Sequence, residues 1–597
     1  MSTPSSTATK KPTLPPEPAQ AKGTRKKKRA NWRKLLFRLH GWLGLNLGLL
    51  LFVICLSGSF ATLSNEIDWL LNPDQHIERP AGAPAGVAGY DWTAMHDSLR
   101  KAFPDGRNLG IYAPEARGSA ALSYVETPRG QRLKVYLNPY TGAVQGRTSF
   151  FNVQRFFRSF HRRFFDGDRG ITLIAFMGFP MLLLALSGFI YYRGWLKQMV
   201  TLRRDKGARI FWSDLHKGAG IWGLLFTLLI ALTGIFYFVE LGYIAADNYE
   251  ALQAEPLPQV ETASLDDYGP QPPLLPENAY AETAREALPG LQVRSMRLPR
   301  RPGGAVYVDG QRGNPLTRDR ANKVHVHPFT GEVLGVQKSS ELSTVPLIGD
   351  LVDPLHFGYF GGLWTKILWC LLGLMLTFSI LAGTYLWVVR LGDARRASKD
   401  APRSLRPFSW LRGAVVSVAI TLAYFVVVTS ATVEGIKEYA PQRPAPQAVV
   451  EVQAGPYRAQ IECATPCNPA EGAALTARFR GAGMPNYQAA TFDAPDRERS
   501  PDTLQGPAGA PSATVVALPG DTLQMRIKER SGATHTATFR VPSGLQAATV
   551  AEASWPRTAP GVWWVVGAFA VFTAGCLVGW LAMIARAYRA AQRKNAQ

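Results

Sequence analysis

The sequence predicts a multi-span α-helical membrane protein with six transmembrane helices, the first four forming a repeated bundle, and small folded domains outside the membrane. Six apolar segments are long enough to cross a bilayer, because about 20 apolar residues span the hydrocarbon core. The segment that begins at His40 recurs at His216 without gaps, and Ser57-Gly58 aligns with Thr233-Gly234. An internal repeat of this kind indicates a membrane fold built from two related halves.

The distribution of basic residues predicts the topology. We place the spans at 36–62, 170–193, 217–240, 363–390, 411–433 and 561–586. The short segments 194–216, 391–410 and 587–597 are rich in Lys and Arg, as is the tail 1–35, which we expect to be disordered. The positive-inside rule puts these segments and both termini in the cytoplasm, and the long segments 63–169, 241–362 and 434–560 on the other side. The net charge of +22 therefore indicates membrane anchoring, and we expect no nucleic-acid partner.

The first two long segments also repeat. Residues 135–146 match residues 324–335, and both contain a Pro-aromatic-Thr-Gly turn between alternating apolar residues, which is typical of a β-hairpin. Amphipathic helices are predicted before them at Trp92–Phe103 and Glu277–Leu288. Each segment is therefore predicted to be a helix packed on a small antiparallel sheet. The third segment is predicted to be a small β domain, with strands at Thr514–Leu518, Thr522–Ile527 and Thr534–Val541.

Four of the nine histidines lie at repeated positions. His40 aligns with His216, and His161 precedes Gly178 and Gly188 by the same 17 and 27 residues that separate His356 from Gly373 and Gly383. The topology puts His40 and His216 at the cytoplasmic end of the spans and the other two at the opposite end. A histidine at a membrane span is costly unless it is solvated, hydrogen-bonded or bound to something. The alternative is an interfacial histidine that caps a helix or contacts lipid headgroups.

The motifs LHGWLG at Leu39, FHRRFF at Phe160, LHKGAG at Leu215 and LHFGYF at Leu355 occur in order with the two hairpins. With them the sequence resembles the PepSY-associated transmembrane family of bacteria, which includes the FoxB-type ferric-siderophore reductases. The resemblance covers residues 32–391. It implies a haem-binding four-helix bundle in the inner membrane, two periplasmic α+β PepSY domains, and two b-type haems that carry electrons to a ferric siderophore or other ferric chelate. Residues 392–597 lie outside this pattern.

Within that resemblance, the histidines are the expected axial ligands of haem iron, because non-covalent haem needs two side chains facing each other across the macrocycle. We pair His40 with His216 and His161 with His356. Gly44 and Gly220 lie one turn beyond their histidines and would let a flat porphyrin approach the backbone. Ser57-Gly58 and Thr233-Gly234 would make similar room at the other end. Arg162 and Arg163 are expected to pair with haem propionates; the alternative is contact with lipid headgroups.

Three further motifs have more than one interpretation. Cys463 and Cys467 are expected to form a structural disulfide in an oxidising compartment, with a redox-active pair as the alternative. His325 and His327 share one face of a predicted strand, either as solvated side chains or as metal ligands. Gly218–Gly223 fits G-x-G-x-x-G, but no strand precedes it, so we exclude a dinucleotide site.

Two classes of function follow. The first is a transmembrane electron conduit, an enzyme that takes electrons from a quinol or a separate donor protein and reduces a ferric chelate. The second is a non-enzymatic membrane scaffold whose outer domains bind peptides or partner proteins. A transporter is a weaker third possibility, because no charged residue other than histidine is placed deep in the spans.

Overall fold

The computed structural model describes residues 23–396, except 85, 105–106, 128–130, 193, 261–273 and 300–303. Beyond residue 396 it describes residues 419, 422–426, 428 and 430, seven strands between Ala448 and Arg540, Ala533, and residues 560–593.

The described helices are numbered in chain order. They are α1 (Gly23–Asn46), α2 (Gly48–Thr62), α3 (Ser64–Leu71), α4 (Trp92–Ala102), α5 (Val153–Arg163), α6 (Gly167–Phe176), α7 (Gly178–Tyr191), α8 (Trp195–Gln198), α9 (Ala208–Trp222), α10 (Leu224–Ala245), α11 (Glu277–Ala287), α12 (Thr344–Phe357), α13 (Leu363–Arg396) and α14 (Val562–Arg593).

Among the described residues, four helical segments are long and apolar enough to cross a membrane: Gly167–Tyr191, Leu224–Ala245, Leu363–Trp387 and Val562–Gly579. They coincide with four of the six predicted spans. Many of their apolar side chains face outward, and Leu225 and Trp364 are each 81% exposed. Such surfaces need lipid around them, so the chain is a multi-span helical membrane protein. The predicted span at 411–433 lies mostly outside the described residues, so the count of six stays a prediction.

The first predicted span, 36–62, is broken in the structure. The apolar segments Leu35–Asn46 and Gly48–Thr62 are bent by 66° relative to each other. Gly44 and Gly48 flank the break and weaken the helix there, while Gly48 packs close to Thr384 of α13. Gly223, which aligns with Leu47 in the repeat, separates α9 from α10. Both halves therefore interrupt their first helix at the same place.

The two repeated outer segments form one sheet. Its strands are β1 (Arg107–Tyr112), β2 (Ala121–Glu126), β3 (Arg132–Leu137), β4 (Val144–Ser149), β5 (Gln292–Arg297), β6 (Val306–Gln311), β7 (Asn322–Val326) and β8 (Val333–Gln337), in the order β4-β3-β2-β1-β5-β6-β7-β8. The predicted hairpins are β3–β4 and β7–β8. The halves join where β1 pairs antiparallel with β5, with Ile111 opposite Met296.

A single apolar core underlies this sheet. Alternate residues of β1–β3 and β5–β7 pack against α4 and α11, and Trp92, Met95, Tyr280 and Ala284 are fully buried. The two outer segments, predicted as separate units, therefore share one core. We call the end of the membrane helices nearer this sheet the sheet end, and the end bearing the connection from α7 to α9 the loop end.

The third outer segment is β-rich, as predicted. Its strands are β9 (Ala448–Ala454), β10 (Tyr457–Cys463), β11 (Ala474–Arg480), β12 (Gln488–Asp493), β13 (Ser512–Leu518), β14 (Thr522–Lys528) and β15 (Thr534–Arg540). They form a four-stranded sheet, β12-β11-β10-β9, and a three-stranded sheet, β13-β14-β15. The predicted partner of Cys463, Cys467, lies outside the described residues, so their disulfide stays a prediction.

Candidate functional site: two facing histidine pairs

One histidine pair lies at the loop end. His40 on α1 and His216 on α9 have ring centroids 6.3 Å apart, with an angle of 70° between the ring planes. Both residues precede the break in their helix, so the repeat delivers them to the same level from the two halves. The structure therefore brings together the pair that the topology predicted.

The second pair lies at the sheet end. His161 on α5 and His356 on α12 have ring centroids 6.2 Å apart, with 37° between the ring planes. α5 and α12 precede the membrane helices α6 and α13, and each is followed by a sharp turn. Phe164, Phe165 and Gly167 have positive φ after α5, and Gly358 and Gly362 have positive φ after α12. Buried Phe164 holds a backbone conformation that is costly for a bulky residue, so packing fixes this turn.

At the loop end, each imidazole is hydrogen-bonded through Nδ1 to the neighbouring helix. His40 Nδ1 lies 2.9 Å from Ser187 Oγ on α7 and also bonds the backbone of Leu184. His216 Nδ1 lies 2.9 Å from the carbonyl oxygen of Ser379 on α13. Leu184 and Ser379 occupy equivalent positions in the repeat, so the two contacts are related by the same pseudo-symmetry as the histidines.

At the sheet end, each imidazole is likewise hydrogen-bonded through Nδ1 to a neighbouring helix, but here the histidine lies on the second helix of its half and its partner on the first. His161 Nδ1 lies 3.0 Å from the carbonyl oxygen of Ile54 and 3.4 Å from Ser57 Oγ, both on α2. His356 Nδ1 lies 2.7 Å from Thr233 Oγ1 on α10. Within each half, the first helix thus holds the histidine of the second, and the second helix holds the histidine of the first.

These partners assign the tautomer of the rings. A backbone carbonyl only accepts, so the Nδ1 of His161 and of His216 must carry the proton and donate it. The Thr233 hydroxyl donates to the carbonyl of Leu229 at 2.8 Å, so it accepts from His356 Nδ1. In a neutral imidazole protonated at Nδ1, Nε2 carries the lone pair that binds a metal. Histidine ligands of metals usually donate their other ring N–H to a protein oxygen in this way.

Glycines let the helices approach these rings. A Cβ atom at Gly58 would lie 2.7 Å from Cε1 of His161, and one at Gly383 would lie 2.9 Å from Cε1 of His216. At Gly188 the distance to Cε1 of His40 would be 3.2 Å. The sequence marked Gly188 and Gly383 by their repeat spacing but gave them no role, and it did not identify Ser187 or Ser379. The pattern that could have identified these residues is a small residue at a fixed distance along the chain from a repeated histidine.

The ring spacing fits a metal held between two imidazoles. An imidazole nitrogen lies about 2 Å from the metal it binds, which puts the centroids of two such rings about 6 Å apart. Gly44 and Gly220 are the glycines expected to let a macrocycle approach at the loop end. A Cβ at Gly220 would meet nothing within 4 Å, and one at Gly44 would meet only Leu184, at 3.9 Å. The donor set and the open space beside it therefore fit a planar macrocycle with two axial ligands.

The predicted arginines adjoin the sheet-end pair. Arg162 and Arg163 follow His161 in the last turn of α5, and Arg162 is exposed to solvent while interacting electrostatically with Arg158 and Glu240. Their pairing with propionates stays a prediction.

A polar network lies on the other side of this pair. The Tyr237 ring packs edge-on against His356, with centroids 5.3 Å apart, and its hydroxyl donates to Asp353 at 2.7 Å. Asp353 forms an ion pair with Arg318, whose Nε lies 2.6 Å from the carboxylate. Since Arg318 belongs to the segment between β6 and β7, this network connects the sheet to the helix that bears His356.

His325 and His327 are not solvated, so that interpretation of the pair is wrong. Both are buried: His325 contacts the Tyr307 ring at 4.3 Å, and His327 Nδ1 accepts from the backbone N–H groups of Phe329 and Thr330. Residues 257–260 cover this face of the sheet, and His325 Nδ1 lies 3.2 Å from the Pro258 carbonyl oxygen. Within the described ranges, no group of three or more His, Cys, Asp or Glu side chains is arranged to hold a metal ion.

The apolar helices and the histidine pairs between two repeated halves define the class of protein, a helical membrane protein with a candidate cofactor core. The family described as the PepSY-associated TM region matches residues 37–390, more than half of the chain, so the chain belongs to that family. An uncharacterized protein of Pseudomonas aeruginosa is 28% identical over 253 residues, which are 39% of this chain and 63% of that relative. The chain thus spans less than two thirds of that relative.

Proposed function

We propose that this protein is a di-haem b electron conduit of the bacterial inner membrane that reduces ferric siderophores or other ferric chelates on the sheet side. The observation that carries the proposal is the presence of two facing histidine pairs, 6.3 and 6.2 Å apart, at opposite ends of one helical bundle. A pair at each end supports transfer across the membrane rather than chemistry on one side.

Each residue of the site has a defined task. His40 and His216 would hold one haem b, and His161 and His356 the other, through Nε2. Haem iron bound in this way supplies one-electron transfer between its ferrous and ferric states. The carbonyl and hydroxyl groups of the neighbouring helices fix the ring orientations and keep the proton on Nδ1. Gly58, Gly188 and Gly383 allow this close approach.

The sidedness follows from the charge distribution. The loop-end connection contains Lys197, Arg203, Arg204 and Lys206, which supports placing it in the cytoplasm, with the eight-stranded sheet in the periplasm as a pair of PepSY domains. A quinol or a separate protein would supply the electrons. At the sheet end the Fe(III) of the chelate gains one electron and becomes Fe(II), which hard oxygen ligands hold less tightly, so iron is released.

The test is the absorption spectrum of the detergent-purified protein, oxidised and then reduced with dithionite, with haem counted per chain. We expect two low-spin b-type haems in the wild type and one in His216→Ala and in His356→Ala. His76→Ala is the matched control, since His76 lies on the surface against the backbone carbonyl of Trp69, and it should keep both. A protein made with ample haem that binds none would contradict the conduit and leave the membrane scaffold.

A further inference from the structure

The two helices that bear the sheet-end histidines carry opposite charges at equivalent positions. Arg155, Arg158 and Arg162 are spaced three and four residues apart on α5, so they share one face of the helix. When His161 is aligned with His356, the first two of these positions correspond to Asp350 and Asp353 on α12. The histidine is therefore the same in both halves, but the residues beside it are basic on α5 and acidic on α12.

The acidic side of this arrangement is neutralised within the fold. Arg318 is only 11% exposed; its Nε lies 2.6 Å from Asp353, and its Nη1 lies 3.8 Å from Asp350. Arg158 and Arg162 on the basic side differ from this acidic pair. Both are exposed, and among the described residues no ion pair joins either one to a carboxylate. The α5 side of the pair thus carries exposed positive charge.

Aromatic rings from the sheet domain lie beside these arginines. Tyr112 and Tyr124 have centroids 5.5 Å apart, and Phe150 lies 5.5 Å from Tyr124. The Arg155 guanidinium stacks over the Phe150 ring at 4.6 Å. These rings belong to the sheet face opposite the apolar core, where they are only partly buried. Aromatic rings and an arginine side chain are therefore adjacent at this place.

A buried lysine adds to the positive charge. Lys134 of β3 is 4% exposed, and its Nζ lies 3.4 Å from Gln154 Oε1 and 5.9 Å from the Phe150 centroid. Burial lowers the pKa of Lys134 to about 8, and repulsion from Arg155 and Arg158 opposes the attraction of Asp68 and Glu115. Like charges held close together disfavour one another, so an anion bound here would relieve the repulsion.

The two carboxylates that attract Lys134 have other partners. Asp68 accepts from the Asn152 side chain at 2.6 Å and from the Val153 backbone at 3.2 Å, which caps α5. Glu115 accepts from Asn65 at 2.6 Å and lies 3.9 Å from Lys366. Neither carboxylate is placed to pair with Arg158.

Resting on the proposed function, we propose that this cluster is the receptor site for the chelate, and that its ligand is an anionic ferric chelate with aromatic donor groups, of the catecholate class. The cluster consists of Tyr112, Tyr124, Lys134, Phe150, Arg155 and Arg158. Arginine binds anionic oxygens through charge-assisted hydrogen bonds, and the rings of such a ligand stack on Tyr and Phe.

The position of the cluster suits the reaction. Arg158 lies one helical turn before His161, about 4.5 Å along the axis. The Fe(III) of a chelate bound there would gain one electron from the sheet-end site and become Fe(II), with no bond to carbon formed or broken. The same positive charge could instead bind an anionic lipid headgroup, which the experiment distinguishes.

The test measures equilibrium binding of a gallium(III) tris-catecholate to the full-length protein with its haem in detergent at low salt. Gallium(III) stands in for Fe(III) but does not accept the electron, so binding is independent of the conduit. We expect Arg155→Gln/Arg158→Gln to weaken binding about tenfold or more, because two charge-assisted contacts are lost. The matched control is Arg132→Gln/Arg312→Gln, which removes the same charge from exposed positions of the same sheet domain and should change binding less than about twofold.

Tyr124→Leu is a second variant that keeps every charge and should also weaken binding by removing the central ring. The haem spectrum of each variant shows whether the bundle is intact. A cationic gallium hydroxamate should bind the wild type more weakly than the catecholate. Equal loss in both double variants, or equal affinity for the two chelates, would overturn the proposal. So would a wild type that binds phosphatidylglycerol but not the catecholate.

Discussion

Thr233 Oγ1 and His356 Nδ1 lie 2.7 Å apart although the residues are 123 positions apart in the chain. The Thr233 hydroxyl donates to the carbonyl of Leu229 and accepts from the imidazole, so it connects the helix backbone to the ring. The Ser187 hydroxyl and the carbonyl oxygens of Ile54 and Ser379 accept in the same way from the other three imidazoles. Their energetic weight can be measured.

Thr233→Val removes the hydroxyl and keeps the shape of the side chain. We expect the affinity of the sheet-end site for haem to fall about tenfold or more, since losing the hydrogen-bond partner of a ligating histidine commonly costs that much. Haem titration into protein made without haem measures it. Thr227→Val is the control on the same helix, because the Thr227 hydroxyl bonds only the Gly223 carbonyl. Equal affinities for the two variants would remove this role of Thr233.

Gly58→Ala tests the close approach of α2 to His161. The new Cβ would lie 2.7 Å from Cε1 of the ring, so the ring must move, and we expect a single haem per chain by absorption. Gly242→Ala on α10 is the control, since a Cβ there meets nothing within 4 Å. Both substitutions raise helix propensity equally. Two retained haems in Gly58→Ala would show that the ring is not held by this contact.

The ion pair between Arg318 and Asp353 should stabilise the junction of sheet and helices. Burial alone would raise the pKa of Asp353, but attraction from Arg318 outweighs it and lowers the pKa. Arg318→Gln removes the paired guanidinium from the Asp353 carboxylate, which is 25% exposed and keeps the Tyr237 hydroxyl as a donor, and should cost about 2 kcal/mol. Arg318→Gln/Asp353→Asn removes both charges and should cost less. Denaturant unfolding of the wild type, Asp353→Asn and these two variants measures the coupling, and additive losses from the two single substitutions would show that the pair does not couple.

His96 should make the stability of the sheet domain depend on pH. Burial, reinforced by repulsion from Arg100, lowers the pKa of His96 from 6.5 to about 3. The unfolded chain therefore binds a proton that the folded chain excludes, and His96 lowers stability as the pH falls from 6.5 towards 3.

His96→Gln removes this titration while keeping a polar side chain beside Glu277. Between about pH 7.5 and about pH 5, the Tm of the wild type should fall more than the Tm of the variant. Glu277 has a raised pKa, caused first by burial, and contributes to stability with the opposite sign. It is present in both proteins, so the comparison isolates His96. Parallel Tm curves would contradict the prediction.

The repeats and the hydropathy pattern alone predicted much of the candidate site. Apolar length and the positive-inside rule placed the spans, and the hairpin signatures placed β3–β4 and β7–β8. Ungapped alignment of the histidines led to the side-by-side pairing of His40 with His216. These are local signals, since each depends on residue spacing within one segment.

Only the tertiary structure decided the rest, because it depends on contacts between segments far apart in the chain. The pairing of Ile111 with Met296 joins two predicted domains into one sheet, and no local pattern specifies which strand edges meet. The break at Leu47, the burial of His325 and the hydrogen bonds of the four imidazoles likewise come from neighbouring elements. The sequence by itself determined which residues repeat; packing between the halves determined which of them touch.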